Sequence, residues 1–173
     1  MVDNVVFRGE LIALTREDVR LPNGVEMTVE AVRHPGAAAV VAYEHGDVIL
    51  VRQFRPVIGE YVLELPAGKV ERGHDLLETA RRELREETGY EAASLEPLVT
   101  IYSAPGYSDE RVAIFIGREL SSSQSQLDDQ EILSVIRIPL ADAVRRTSAG
   151  EITDAKTVCG LLLAQKALEG NCE

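Results

Sequence analysis

Glu83 and Glu87 lie four residues apart in a segment, 75–88, whose apolar residues recur with a helical period. At about 100° per residue the two carboxylates share a face, with Leu77, Ala80 and Leu84 on one arc and Leu76 at its edge. Glu87 falls between Ala80 and Leu76, and Glu83 just past Leu76, so both stand at the margin of the stripe expected to be buried. Two carboxylates in that position repel each other and lose water, and a cation relieves both costs. Hard oxygen donors of this kind suit Mg²⁺, or Mn²⁺ in its place, rather than zinc. Glu86 lies farther round and can widen the cluster. The plainer account is a solvated helix on which Arg81, Arg82 and Arg85 pair with the glutamates.

The spacing around the helix decides against that account. From Gly68 to Tyr90 the chain reads GKVERGHDLLETARRELREETGY. This resembles the signature of the Nudix hydrolases: a Gly, five residues, a Glu, seven residues, then Arg-Glu-aliphatic-x-Glu-Glu-x-Gly-aliphatic. Gly68, Arg82, Glu83, Leu84, Glu86, Glu87 and Gly89 are in register, and Tyr90 takes the last position. The resemblance implies that Glu83 and Glu87 hold the metal with the backbone carbonyl of Ala67. It further implies that Glu86 supports the cluster and that Arg82 orients its carboxylates. One position departs, since His74 stands where the family has its first Glu. An imidazole cannot supply that charge, though it can still donate or accept a hydrogen bond. Because that Glu mainly braces the loop against the helix in many members, activity is expected to survive the change.

Two further segments bear on the substrate. Ser103-Ala104-Pro105-Gly106-Tyr107 looks like the Ser-Pro-Gly element that follows the signature in ADP-ribose pyrophosphatases, although Pro-Gly by itself is an ordinary turn. Upstream, Arg52-Gln53-Phe54-Arg55-Pro56 looks like the Arg-Gln-x-Arg-Pro segment of the same subfamily. Guanidinium forks suit phosphate oxygens, with Arg55 favoured over Arg52. Hydrolysis also needs a group to activate water. The family commonly draws it from a loop after the signature, a place taken here by Leu127-Asp128-Asp129-Gln130-Glu131. Glu131 is the candidate, with Asp129 as the alternative and a substrate contact. Glu110 and Glu71 are secondary candidates for contacts to metal-bound water.

The elements that must position these residues can be read from the pattern. Val5–Leu14 and Val25–His34 read as strands around the hairpin signal Pro22-Asn23-Gly24. Ala37–Tyr43 and Val48–Gln53 form a second, more apolar pair, and Tyr61–Leu65 a short strand. Asp75 is the expected N-cap and Gly89 the C′ residue of the central helix. Strands return at Leu95–Tyr102, Val112–Arg118 and Leu133–Ile138, with a polar loop over Ser121–Gln130. Helices follow near Leu140–Thr147 and from Asp154 to Leu168. The expected class is α+β, one domain over residues 1–173 with a mixed sheet between helices. The resemblance specifies an α/β/α sandwich and a homodimer built on the N-terminal strands of residues 1–35.

Composition narrows the partners. The 173 residues carry a net charge of −11 with no basic block, which disfavours nucleic acid, mRNA caps included, and anionic membranes. An acidic protein that handles phosphates needs a divalent ion to offset repulsion. Cys159 and Cys172 form neither a disulfide framework nor a zinc site. No apolar run approaches the ~20 residues of a membrane span, and residues 1–10 lack a leader's apolar core, so a cytoplasmic protein is expected. The resemblance thus implies Mg²⁺-dependent cleavage of ADP-ribose to AMP and ribose 5-phosphate. GDP-mannose or another nucleotide sugar is the alternative substrate, and a non-catalytic ADP-ribose-binding module the alternative of another class.

Overall fold

The computed structural model describes residues 4–71, 73–123 and 133–170. Strands β1 (Val5–Arg8), β2 (Ala13–Arg20) and β3 (Glu26–Arg33) form a three-stranded antiparallel sheet. A larger sheet contains β4 (Ala37–Glu44), β5 (Asp47–Arg55), β6 (Glu60–Glu64), β7 (Ala67–Lys69), β8 (Tyr90–Tyr102), β9 (Arg111–Ser122) and β10 (Leu133–Pro139). Its main order is β10-β5-β4-β9-β8, with β6 paired to β5 and β7 to β4. β4 and β9 run parallel and every other pair antiparallel, so the sheet is mixed, as expected. The helices are α1 (Leu76–Thr88), α2 (Leu140–Ser148) and α3 (Ala155–Glu169).

The apolar runs of β4, β5 and β9 are continuous because both faces of the sheet are covered. Ala39, Val41, Val48, Leu50, Val112 and Ile114 pack with Leu140, Ala143, Leu161 and Ala164 of α2 and α3. Ala38, Val40, Ala42, Ile49, Ala113 and Phe115 pack on the other side with Ala80 and Leu84 of α1. Period-two alternation thus divides each central strand between two cores, giving the α/β/α layering.

Several elements differ from the sequence pattern. Val5–Leu14 is two strands, since Gly9 N–H bonds Ile12 O at 2.8 Å and folds the chain back between them. The charged run after Ala13 is β2 itself, paired from Ala13↔Arg33 to Arg20↔Glu26; alternating charges are tolerated on a sheet with a solvated face. β8 begins at Tyr90, and β9 continues to Ser122, because backbone pairing from Tyr90↔Ser122 onward does not depend on apolar side chains. Cys172, Asp129, Glu131 and the greater part of the expected polar loop lie outside the described residues.

α1 is capped as its residues predict. Asp75 accepts from Glu78 N–H at 2.8 Å and Glu78 accepts from Asp75 N–H at 3.1 Å, a reciprocal capping box. Gly89 ends the helix in a left-handed conformation, φ 72°, with its N–H on Arg85 O. Its buried stripe is Thr79, Ala80, Leu84, Glu87 and Thr88, whereas Leu76 and Leu77 are 40 % and 37 % exposed. Burial along the helix begins at Thr79, so the first turn has little to pack against. None of the described helices is long and apolar enough to cross a membrane.

Candidate active site

Glu87 sits on the buried stripe of α1, and burying a carboxylate requires partners. Only 4 % of it is exposed, and its Oε2 accepts the Ala67 N–H at 3.0 Å. One turn earlier, Glu83 lies directly on Gly68. A Cβ at that glycine would stand 1.8 Å from Glu83 Oε1 and 2.0 Å from its Cδ, so only glycine admits the carboxylate. β7 is held in place by its pairing with β4, Ala39↔Ala67 and Ala38↔Gly68. Two glutamates on consecutive helical turns are thereby set against one short edge of backbone.

Arg82 ties the cluster together. One guanidinium nitrogen donates to Glu83 at 2.6 Å and the other to Glu86 at 2.7 Å, with Glu71 at 3.6 Å. Burial works against the charge of Arg82, but Glu83 and Glu86 outweigh it and raise its pKa. Its Nε is buried and has no hydrogen-bond partner among the described residues. His74, where the family pattern has a carboxylate, supplies no acceptor to it; its side chain has no bond among the described residues.

The second wall carries cations. Arg55 clasps Glu64 through two hydrogen bonds of 2.6 and 2.7 Å, and Lys156 at the start of α3 reaches the same carboxylate. Glu64 is buried in β6, yet its pKa is lowered. Burial pushes it up, and the hydrogen bonds of Arg55 with the charge of Lys156 more than reverse this. Asp154 caps α3 through Thr157 N–H and pairs with Lys156 at 3.1 Å, while Thr157 Oγ1 accepts the Leu65 N–H at 2.8 Å.

Both walls face a cleft of about 900 Å³, large enough for a nucleotide-sized ligand. It is lined by Ala67, Glu83, Glu86, Glu87, Arg82 and Arg55, together with Glu71 and Glu110. Arg52 does not line it. Positions 52 and 55 have opposite parity on β5, and Arg52 lies instead 3.9 Å above the Tyr61 ring. Pro105 and Gly106 do not line it either. Their turn docks on β3, where Val32 N–H bonds Tyr107 O at 2.7 Å and Asp109 N–H bonds Val32 O at 3.2 Å.

Sequence reasoning missed Glu64, Lys156, Glu10, Lys69 and His34, which also belong to the cleft or its support. Only Glu64 gave a signal, a lone charge inside the apolar run Tyr61-Val62-Leu63-Glu64-Leu65. Such a charge needs a buried partner.

The donor set suits a hard divalent ion. Glu83 and Glu87 are placed by the Gly68 cradle and the Ala67 amide, and both belong to one cleft. Among the described residues no three His, Cys, Asp or Glu side chains converge as a ready metal cage. Mg²⁺ does not call for such a cage, because it binds through one or two carboxylates and keeps water or phosphate oxygens for the rest.

The comparisons with known proteins agree with this geometry. The NUDIX domain model matches residues 32–159. An ADP-ribose pyrophosphatase of Bacillus subtilis is 42 % identical over 163 residues, covering 92 % of this chain and 88 % of the relative. A methanol dehydrogenase activator of Bacillus methanolicus is 38 % identical over 169 residues, covering 95 % and 91 %. The crystal structure of an ADP compounds hydrolase superposes with a TM-score of 0.83 at 27 % identity, covering 96 % of this chain and 91 % of that one. Members of the matched family generally use divalent metal ions. With the signature in register, the carboxylates gathered at one cleft and the fold shared across nearly the whole chain, this protein belongs to the Nudix hydrolase family.

Proposed function

We propose that the protein hydrolyses the diphosphate of ADP-ribose to AMP and ribose 5-phosphate, with Mg²⁺ as its ion and Mn²⁺ as a substitute. The observation that carries this reading is the joining of Glu83, Glu86 and Glu87 with Arg55 in one cleft. The names of the Bacillus subtilis relative and of the crystallised hydrolase favour an ADP-linked substrate.

Glu83, Glu87 and the carbonyl of Ala67 are the proposed ligands. A bound divalent ion neutralises the diphosphate and makes water a better nucleophile. Arg82 holds Glu83 and Glu86 in place, and Arg55, aimed by its clasp on Glu64, offers its remaining N–H donors to the diphosphate oxygens. Glu110 is proposed as a contact to substrate or its water, as Glu71 is. Glu131 takes the proton of the attacking water, whose oxygen bonds to one phosphorus as the bridging P–O bond breaks toward the departing phosphate. Asp129 contacts the substrate from the same loop. Arg52, Pro105 and Gly106, expected at the substrate, stand outside the cleft of their own chain.

A panel of nucleotide sugars with Mg²⁺, assayed for phosphatase-sensitive products, tests the substrate. ADP-ribose should be cleaved faster than GDP-mannose, and excess EDTA should abolish turnover. Preference for GDP-mannose would replace the substrate, and ADP-ribose binding without cleavage would make the protein a sensing module. Full turnover by protein shown to be metal-free would remove the ion.

Loop substitutions test the water-activating group. Glu131→Gln is expected to lower kcat by about 10²-fold with little change in KM, and Asp129→Asn should be milder. The opposite ranking would exchange their roles.

We propose a cytoplasmic homodimer joined through β1–β3. That sheet and the turn before β3 leave Val6, Phe7, Val25 and Met27 between 44 % and 63 % exposed, apolar surface of a kind that interfaces cover. A monomer in sedimentation at assay concentration would remove the dimer.

A further inference from the structure

We propose that His34 binds the diphosphate of the substrate by donating a hydrogen bond from Nε2–H. This rests on the reading above, that the cleft accepts a diphosphate. His34 lies in the three-residue link between β3 and β4, and its side chain is only 10 % exposed at the edge of the cleft.

The link is held on both sides. His34 N–H donates to Asp109 Oδ1 at 2.9 Å, and Gly36 O accepts the Val70 N–H at 3.0 Å. Gly36 adopts φ +93°, which carries its N–H back onto His34 Nδ1 at 3.1 Å. An Nδ1 that accepts leaves the proton of a neutral imidazole on Nε2. Nε2 has no partner among the described residues, and it is not one of the buried atoms lacking one. It is therefore an oriented donor on a residue that lines the cleft.

Its position relates it to the chemistry. Gly36 is bonded to Val70, and two residues on, Ala38 pairs with Gly68, against which the Glu83 carboxylate rests. The surrounding wall is rich in acceptors. Glu10, Glu71 and Glu110 line the same cleft, and Glu110 Oε1 lies 3.6 Å from His34 Nδ1 while its other oxygen accepts from Ser103. A diphosphate oxygen entering such a wall needs N–H donors, and an N–H fixed in place provides one.

The competing role is structural, with His34 merely bracing the link through Nδ1. Two variants separate the roles. His34→Asn can place its amide oxygen near the Nδ1 position, keeping the brace and losing the distal donor. His34→Gln can place its amide nitrogen near the Nε2 position, keeping the donor and losing the brace. The full-length variants are compared by KM and kcat for ADP-ribose, by thermal midpoint, and by calorimetric titration of inorganic pyrophosphate with Mg²⁺ present.

His34→Asn should raise KM about 10-fold, weaken pyrophosphate binding similarly and keep its thermal midpoint. His34→Gln should keep both affinities within about threefold, with a lower midpoint. The reverse pattern, or affinities unchanged in both variants, overturns the proposal. If wild type does not cleave ADP-ribose, the substrate reading fails, while the pyrophosphate titration still decides the role of His34.

Discussion

Gly68→Ala should reduce kcat by at least about 10²-fold while shifting the thermal midpoint by no more than a few degrees. The new Cβ would occupy the place of Glu83 Oε1, at 1.8 Å, and something must move. β7 is fixed by three register pairs with β4, whereas the carboxylate is the far end of a flexible side chain. Glu83 should therefore swing away, taking with it the alignment that Arg82 maintains at 2.6 Å. Little packing is lost, so activity should fall far more than stability.

Glu83→Gln provides the matching control. It preserves shape at Gly68 and removes the charge, and kcat should fall on the order of 10³-fold. Metal-free Glu83→Gln should change stability little, since relief of the crowded carboxylates offsets the weakened pairing with Arg82. Kinetics and thermal melts on both variants check the pair. Near-normal kcat in Gly68→Ala would show that the close approach of Glu83 to the backbone is unnecessary for hydrolysis.

Glu64→Leu should destabilise the protein by about 3 kcal/mol, the lower part of the range for removing one partner of a buried ion pair. Arg55 and Lys156 would lose their shared carboxylate. Arg55 is 42 % exposed and can regain water, whereas Lys156 is 14 % exposed and keeps Asp154, which limits the loss. For a chain of this size that corresponds to roughly 6–12 °C in thermal midpoint. The deficit should depend on pH with a definite sign. Glu64 has a folded pKa below its ordinary value of 4.5, so its contribution is complete above that value and fades as pH falls through the folded pKa. Denaturant titrations at neutral pH and below pH 4 should show the gap between wild type and variant narrowing in acid. A gap that widens in acid would mean that Glu64 is not stabilised as an anion. KM should also rise, because Arg55 loses the clasp that aims it.

The signature residues were legible because a helix converts sequence spacing directly into geometry. Glu83 and Glu87 share a face wherever residues 76–88 are helical, and Asp75, Glu78 and Gly89 encode the ends of that helix locally. The buried strands β4, β5 and β9 were legible for a similar reason, since continuous apolar runs mark a sheet covered on both faces. Family, central helix and most of the core could thus be read from the chain alone.

What faces the helix across the cleft could not be read in that way. Lys156 follows Glu64 by 92 residues, and only the packing of α3 beneath β6 brings their charges together. Arg55 is favoured over Arg52 in the sequence, but strand parity and the Glu64 clasp are what send Arg55, and not Arg52, to the cleft. The Pro105-Gly106 turn has a familiar composition, yet its hydrogen bonds to β3 decide where it lies. His34 had no sequence spacing to mark it, because its tautomer depends on the positive φ of Gly36 and its site on strand pairing with the segment around Gly68. Local hydrogen bonds and periodicity are written in adjacent residues; the meeting of distant charges depends on how the layers pack, and that only the tertiary structure decided.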